Sequence, residues 1–180
     1  LFRSTFIGTN WTNVNSMQAE TTLALTFDSI YVLSGADGRG IFRSTNIGDA
    51  WEPIGGLPIQ MRYVSGFVSL QGALFASTRN GIYRSTDHGS TWTISSTGLG
   101  TPGTYLNVQR MVTEGSRVFA LADLRMGVYI SRDVGVTWNF GGLGGIWGNC
   151  LVVLDTNVFA GSSSGVHLSS GSDPTWLLSN

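Results

Sequence analysis

Five segments of the chain end on tryptophan in the same way. "LFRSTFIGTNWTNV" carries Trp11, "GIFRSTNIGDAWEPI" Trp51, "GIYRSTDHGSTWTIS" Trp92, "GVYISRDVGVTWNFG" Trp138 and "GVHLSSGSDPTWLLS" Trp176. The steps between these tryptophans are 40, 41, 46 and 38 residues, and only Trp147 stands outside the series. A period sustained along a whole chain means copies of one supersecondary unit, none of which buries its apolar face alone.

Ahead of every segment but the first lie two short alternating runs: "TLALTF" and "IYVLSG", "GFVSL" and "ALFAST", "QRMVTEG" and "RVFALA", "CLVVLD" and "NVFAGS". Asp28-Ser29, Gln71-Gly72, Glu114-Gly115-Ser116 and Asp155-Thr156-Asn157 separate the members of each pair. Alternation rich in β-branched and aromatic residues reads as strands, and no window has a helical period. With the strand before each turn motif (such as "GIYRS") and one beginning at the tryptophan, the unit is four strands, A to D. Four strands recurring about every 40 residues predict the blade of a β-propeller.

The C–D connection has a mechanism of its own. In "SxDxGxTW" the Ser and Asp side chains accept hydrogen bonds from the turn's N–H groups. Gly89 supplies a positive φ, Thr91 returns the chain to β geometry, and Trp92 offers a large apolar plate to the neighbouring sheet. The pattern resembles the Asp-box, or bacterial neuraminidase repeat, of sialidases, sortilin-type receptors, xyloglucanases and photosystem II assembly-factor propellers. It is complete at Ser85, Asp87, Gly89, Thr91 and Trp92 and again at Ser131, Asp133, Gly135, Thr137 and Trp138. The second copy keeps Ser44, Gly48 and Trp51 but has Asn46 for Asp and Ala50 for Thr; the first has Phe6 and Asn10 there, and the fifth has Gly171 for Asp and Asp173 for Gly. In those families the box is a structural turn remote from the ligand site, so the resemblance implies a fold and leaves the function open.

Charged residues make up only 12% of the chain, with ten basic against eleven acidic, so no global field draws it to nucleic acid or an anionic membrane. All ten basic residues are arginine. No apolar run approaches the ~20 residues of a membrane-spanning helix. Cys150 is the only cysteine, which excludes an intrachain disulfide, and "GNCLVVLD" places it on an expected buried strand. His88 and His167 have no Cys or acid at ligand spacing, "GADGRG" lacks the carboxylates of a calcium loop, and "GGLGGIWG" has neither the helix nor the Lys of a phosphate loop. Neither metal nor cofactor is expected.

The expected units are a half blade of strands C and D at 1–15 and blades at 16–54, 55–95, 96–141 and 142–180, all one propeller domain. About four and a half blades leave two apolar faces without a neighbour, which soluble monomers avoid. The expected occupants are the remaining blades of a larger propeller or another copy of the chain.

The D–A and B–C connections share one face of a propeller, and ligands usually meet it. Arg39, Arg79 and Arg125 recur before the glycine of strand C, Arg62 and Arg110 begin strand A, and Tyr63, Tyr105, Trp147, Asp37 and Asp123 lie in the same connections. This is an arginine and aromatic surface suited to an anionic, sugar-like or protein partner, although turn arginines also serve simply to keep a low-charge surface soluble. Arg3, Arg43 and Arg84 repeat just before the box Ser and read as structural. Three functions remain open: a non-catalytic interaction propeller, exported or surface-displayed by family habit; a sialidase-like or xyloglucanase-like glycoside hydrolase with part of its site elsewhere; and a self-assembling structural subunit. Hydrolysis needs paired carboxyl groups or a Tyr nucleophile with an Arg cluster. The acids on the ligand face are Glu20, Asp37 and Asp123, and the sialidase F-R-I-P segment is absent.

Overall fold

A computed structural model describes residues 1–4, 7–14, 21–100, 106–123, 126–170 and 175–179. The described residues form an all-β propeller architecture of one two-stranded and four four-stranded antiparallel sheets. The half blade pairs β1 (Phe2–Ser4) with β2 (Trp11–Asn13). The first blade is β3 (Thr22–Phe27), β4 (Val32–Ala36), β5 (Gly40–Ser44) and β6 (Glu52–Pro53). The second is β7 (Val64–Leu70), β8 (Ala73–Thr78), β9 (Gly81–Ser85) and β10 (Thr93–Ile94). The third is β11 (Val108–Glu114), β12 (Arg117–Ala122), β13 (Gly127–Ser131) and β14 (Asn139–Gly142). The fourth is β15 (Gly148–Leu154), β16 (Asn157–Ser162), β17 (Gly165–Ser170) and β18 (Leu177–Ser179).

In each full blade the strands lie side by side in chain order, A to D. The A strands β3, β7, β11 and β15 touch one another in succession, so they form the inner edge of the fan. Each carries a register shift near its start, at Thr22/Ala24, Val64/Gly66, Val108/Arg110 and Gly148/Cys150. A bulge bends its strand and re-aims the adjoining side chains. Here that happens four times on the face carrying the D–A and B–C connections.

The core among the described residues is four inter-blade layers, the smallest of which packs Leu1 and Val14 of the half blade on Val32, Phe42 and Trp51 of the first blade. Leu33 and Ile41 of the first blade pack on Val64, Leu74, Ala76, Tyr83 and Trp92 of the second. Phe75 and Ile82 of the second pack on Val108, Val118, Ala120, Tyr129 and Trp138 of the third. Phe119, Leu121, Val128 and Ile130 of the third meet Leu151, Val158 and Ala160 of the fourth. Alternation makes this possible, because successive residues of one strand serve the layers on either side.

Equivalent positions at the two ends are bare. The strand B and strand C residues facing the next blade are 0–1% exposed in Leu33, Ile41, Phe75, Ile82, Phe119 and Val128, whereas Val166 at the same place in the fourth blade is 47% exposed. On the opposite side, Leu25 of strand A is 52% exposed while its counterparts Met111 and Leu151 are buried. Among the described residues no strand covers Leu25 or Phe27.

Three expectations need correction. Cys150 is exposed. Leu151 turns toward the third blade, which leaves Cys150, Val152 and Leu154 on the opposite side of the strand, which no described residue covers. Strand D begins one residue after the tryptophan in all four full blades, because the indole turns into the inter-blade layer before pairing starts. Finally, one 3₁₀ turn, Ile59–Arg62, interrupts the D–A connection of the first and second blades. Pro58 leads into it with φ −53°, and Met61, whose N–H bonds the Pro58 carbonyl, is fully buried.

Candidate functional site

The two faces of the fan have different chemistry. The box hairpins line one of them and satisfy themselves. Ser85 Oγ donates to Asp87 Oδ1 at 2.7 Å and accepts from the Gly89 N–H at 2.9 Å. Asp87 also accepts from the Thr91 N–H at 2.8 Å and the Thr91 hydroxyl at 2.5 Å. Ser131, Asp133, Gly135 and Thr137 repeat the network. In the first blade Asn46 replaces the acid: its Oδ1 accepts from Ser44 Oγ and the Ala50 N–H, and Ser44 Oγ accepts from the Gly48 N–H.

Gly48, Gly89 and Gly135 have φ of 85°, 77° and 80°, and the residues before them, Ile47, His88 and Val134, are left-handed too. Such a backbone costs an L residue about 1–2 kcal/mol, which the side-chain network offsets. Trp51 and Trp92 donate Nε1–H to the carbonyl of their own box glycine, at 3.1 and 2.9 Å. Trp138 and Trp176 instead reach the strand D region of the preceding blade, at Ser95 O (2.8 Å) and Gly141 O (2.6 Å). Arg3 pairs with Asp49, and Arg43 donates to Ser90 Oγ while lying over the Tyr31 ring; both partners follow the box glycine of the next blade.

Burial pushes the Asp87 carboxyl upward, but hydrogen bonds from the Thr91 hydroxyl and N–H and from Ser85 outweigh it and hold the group at about 2. Asp133 is lowered by the same arrangement. A carboxyl depressed on folding contributes stability that is complete above its unfolded value, near 3.9, and is lost as pH falls through the folded one. Stability is therefore expected to decline between about pH 4 and pH 2. Asp87→Asn should flatten part of that slope in urea titrations, and an unchanged slope would show that the box carboxylate is uncoupled from folding.

The opposite face is built from a different repeated contact. The residue just before strand A is Thr21, Tyr63, Asn107 or Trp147, and the residue just after strand B is Asp37, Arg79, Asp123 or Ser163. Within a blade the pair adjoins: the N–H of Asp37, Asp123 and Ser163 donates to the carbonyl of Thr21, Asn107 and Trp147 at 2.9, 2.8 and 2.9 Å. Asn107 Nδ2 adds a bond to Asp123 Oδ2 at 3.1 Å. In the second blade the Arg79 guanidinium lies 3.6 Å from the centre of the Tyr63 ring. Asp37 also bridges to Tyr63 along the backbone, joining the first blade to the second.

This brings Asp37, Tyr63 and Arg79 together, with Arg62 exposed beside them. Arg39 is exposed in its B–C turn, and Trp147 is 44% exposed. Arg110 is exposed on β11, past the bulge, and bonds the Gln109 carbonyl at 2.8 Å. Asp123 stands two blades from Asp37, with the Tyr63–Arg79 stack on the blade between. Tyr105, Arg125 and Glu20 lie outside the described residues. Thr21, Asn107 and Ser163 escaped sequence reasoning; their signal is register, since each adjoins a strand end.

Among the described residues no group of three or more His, Cys, Asp or Glu side chains could hold a metal ion. No helix among them is long and apolar enough to cross a membrane, which says nothing of β-barrels.

The fold and the box hairpins define the class: this is a β-propeller chain carrying about four and a half blades among its described residues. No protein-family profile matches the sequence, and no curated protein does. Among solved structures it is similar to an ancestral GH74 enzyme, with 18% identity and a TM-score of 0.69 over 94% of this chain and 25% of that one. YCF48 from Cyanidioschyzon merolae is similar at 13% identity and a TM-score of 0.66, covering 93% of this chain and 58% of that one. The extracellular domain of a one-component system from B. thetaiotaomicron is similar at 10% identity and a TM-score of 0.70, covering 86% and 21%. This chain thus spans a quarter or less of two of these proteins and little more than half of the third. At such identities the likeness concerns the fold.

Proposed function

We propose that the chain is a non-catalytic interaction propeller, exported or surface-displayed, that binds a protein or glycan partner on the D–A and B–C face. One observation carries this reading. At equivalent places, clamped through the backbone in three blades and stacked in the second, the side chains differ from blade to blade: Thr21 and Asp37, Tyr63 and Arg79, Asn107 and Asp123, Trp147 and Ser163. A rigid repeat scaffold that varies its loop side chains is how solenoids and propellers build recognition surfaces. The Tyr63–Arg79 stack supplies a flat, pre-oriented guanidinium. Within its own blade the Asp123 carboxylate accepts from Asn107 Nδ2, a role that orients it as a loop contact. The bare faces around Leu25 and Val166 repeat positions that interior blades bury, so further blades, from the same protein or another copy, are the natural cover.

The test uses an array of neutral and anionic oligosaccharides and peptides. For any ligand it detects, the double variant Arg62→Glu, Arg79→Glu is expected to weaken binding at least about tenfold, roughly the loss of one charge-assisted contact. Arg132→Glu, on the box hairpin, should leave binding unchanged. Release of reducing sugar from xyloglucan or of sialic acid from sialyllactose, abolished by Asp37→Asn or Asp123→Asn, would replace this reading with hydrolysis.

A further inference from the structure

The joints between interior blades are made from the same parts. The leading blade supplies the far end of strand A and residues of strands B and C, as Val68, Leu70, Phe75 and Ile82 do in the second blade. The following blade supplies a strand C aromatic, the box tip and the tryptophan, as Tyr129, Val134 and Trp138 do in the third. Between the first and second blades Asp28 holds the Leu70 place and His88 the Val134 place, and the two meet at 3.0 Å.

The fourth blade carries the leading half of such a joint. Val152, Leu154 and Val166 stand at the places of Val68, Leu70 and Ile82, and all three are exposed. The half blade carries the following half. Phe2, Ile7 and Trp11 stand at the places of Tyr129, Val134 and Trp138. Phe2 and Trp11 are 61% exposed, against 7% for Tyr129 and 2% for Trp138, and Ile7 is exposed as well.

Two further features match the halves. Trp138 and Trp176 donate to the carbonyl three residues after the tryptophan of the blade before, Ser95 and Gly141. The acceptor at that place in the fourth blade is Ser179, and Trp11 is the corresponding donor. Where Arg43 meets Ser90 between the first and second blades, the fourth blade has Leu168 and the half blade Thr9, so joining them strands no charge there.

We infer that the fourth blade binds the half blade of a second copy, head to tail, repeating the joint that the chain makes between its own blades. The contact is heterologous, and each copy keeps one half for the next. This rests on reading the bare faces as blade-on-blade surfaces, as above, and is independent of what the loop surface binds.

Sedimentation equilibrium of the 180-residue chain, from about 1 to about 100 µM, tests it. The wild type should associate within that range. Trp11→Asp spoils only the half-blade face and Val166→Arg only the fourth-blade face. Each alone should be monomeric, its association weakened at least about 30-fold, as on loss of a central interface residue. Mixed in equal amounts, the two should form a heterodimer and nothing larger, because one intact half remains on each. Both side chains are exposed in the single chain, so its urea midpoint should hold; Val152→Arg serves in place of Val166→Arg if that variant fails to fold. A wild type monomeric at the highest concentration, either variant associating like the wild type, or a mixture that stays monomeric would each overturn the assembly. Ligand binding that depends on Arg62 and Arg79 would survive all three results, so failure of the loop surface is read separately.

Discussion

Replacing Trp138 with alanine is expected to destabilise the chain by about 3–5 kcal/mol, the range for deleting a buried indole. Trp138 is 2% exposed, stands edge-on to Phe75 of the preceding blade, and donates to the Ser95 carbonyl at 2.8 Å. Its loss opens a cavity between the second and third blades and leaves that buried carbonyl short of a donor. Trp11 occupies the same place in its motif but is 61% exposed, with its Nε1–H satisfied by Gly8 at 2.9 Å. Trp11→Ala should therefore cost no more than about 0.5 kcal/mol, as exposed substitutions do. Urea midpoints for the two variants measure the contrast. Equal losses would mean that the tryptophans act through the local hairpin and not through the blade that precedes them.

Gly98→Ala is expected to exceed about 4 kcal/mol, at the far end of single substitutions. Gly98 has φ +88°, and a Cβ on it would sit 2.0 Å from the Trp138 carbonyl oxygen and 3.1 Å from the carbonyl carbon. The obstacle is backbone, which cannot swing aside, and the neighbouring Thr97 carbonyl accepts the Trp138 N–H at 2.8 Å, which holds the two segments together. Gly38 isolates the conformational part of this cost. It has φ +81° but nothing within 4 Å of its Cβ position, so Gly38→Ala should lose only the ~1–2 kcal/mol of a left-handed alanine. Thermal unfolding distinguishes them: a Gly98→Ala chain as stable as Gly38→Ala would show that the second and third blades are not in contact there.

The strands were legible because their causes are local. "TLALTF", "ALFAST", "RVFALA" and "NVFAGS" become β3, β8, β12 and β16 without a residue gained or lost. In each, alternation and β-branching act within one segment. Gly89 in a left-handed conformation follows from its place in a four-residue turn, but His88 in the same conformation does not, since its cost is offset only by the completed Ser85–Asp87–Thr91 network. The short 3₁₀ turn at Ile59–Arg62 was invisible because its anchor, Met61, is held by a pocket made by two blades.

The loop surface was legible in composition and not in arrangement. Arg79 and Tyr63 stand far apart in the chain and carry no pairwise signal, yet strand register lays one over the other. Asp28 and His88 likewise meet only because the A–B turn of one blade rests on the box hairpin of the next. The aliphatic pattern around Cys150 suits a buried strand, yet the residue is exposed, as Arg110 is at the same place just past the bulge of the third blade.

By itself the sequence determined the repeat, its four strands and the self-satisfied hairpin, all set by interactions within a few residues. The tertiary structure alone decided which copies of an identical position are buried, as Val128 is and Val166 is not, and which side chains share a site. The physical reason is that a propeller blade is stabilised across its faces, and what a face meets is a property of its neighbour rather than of its own residues.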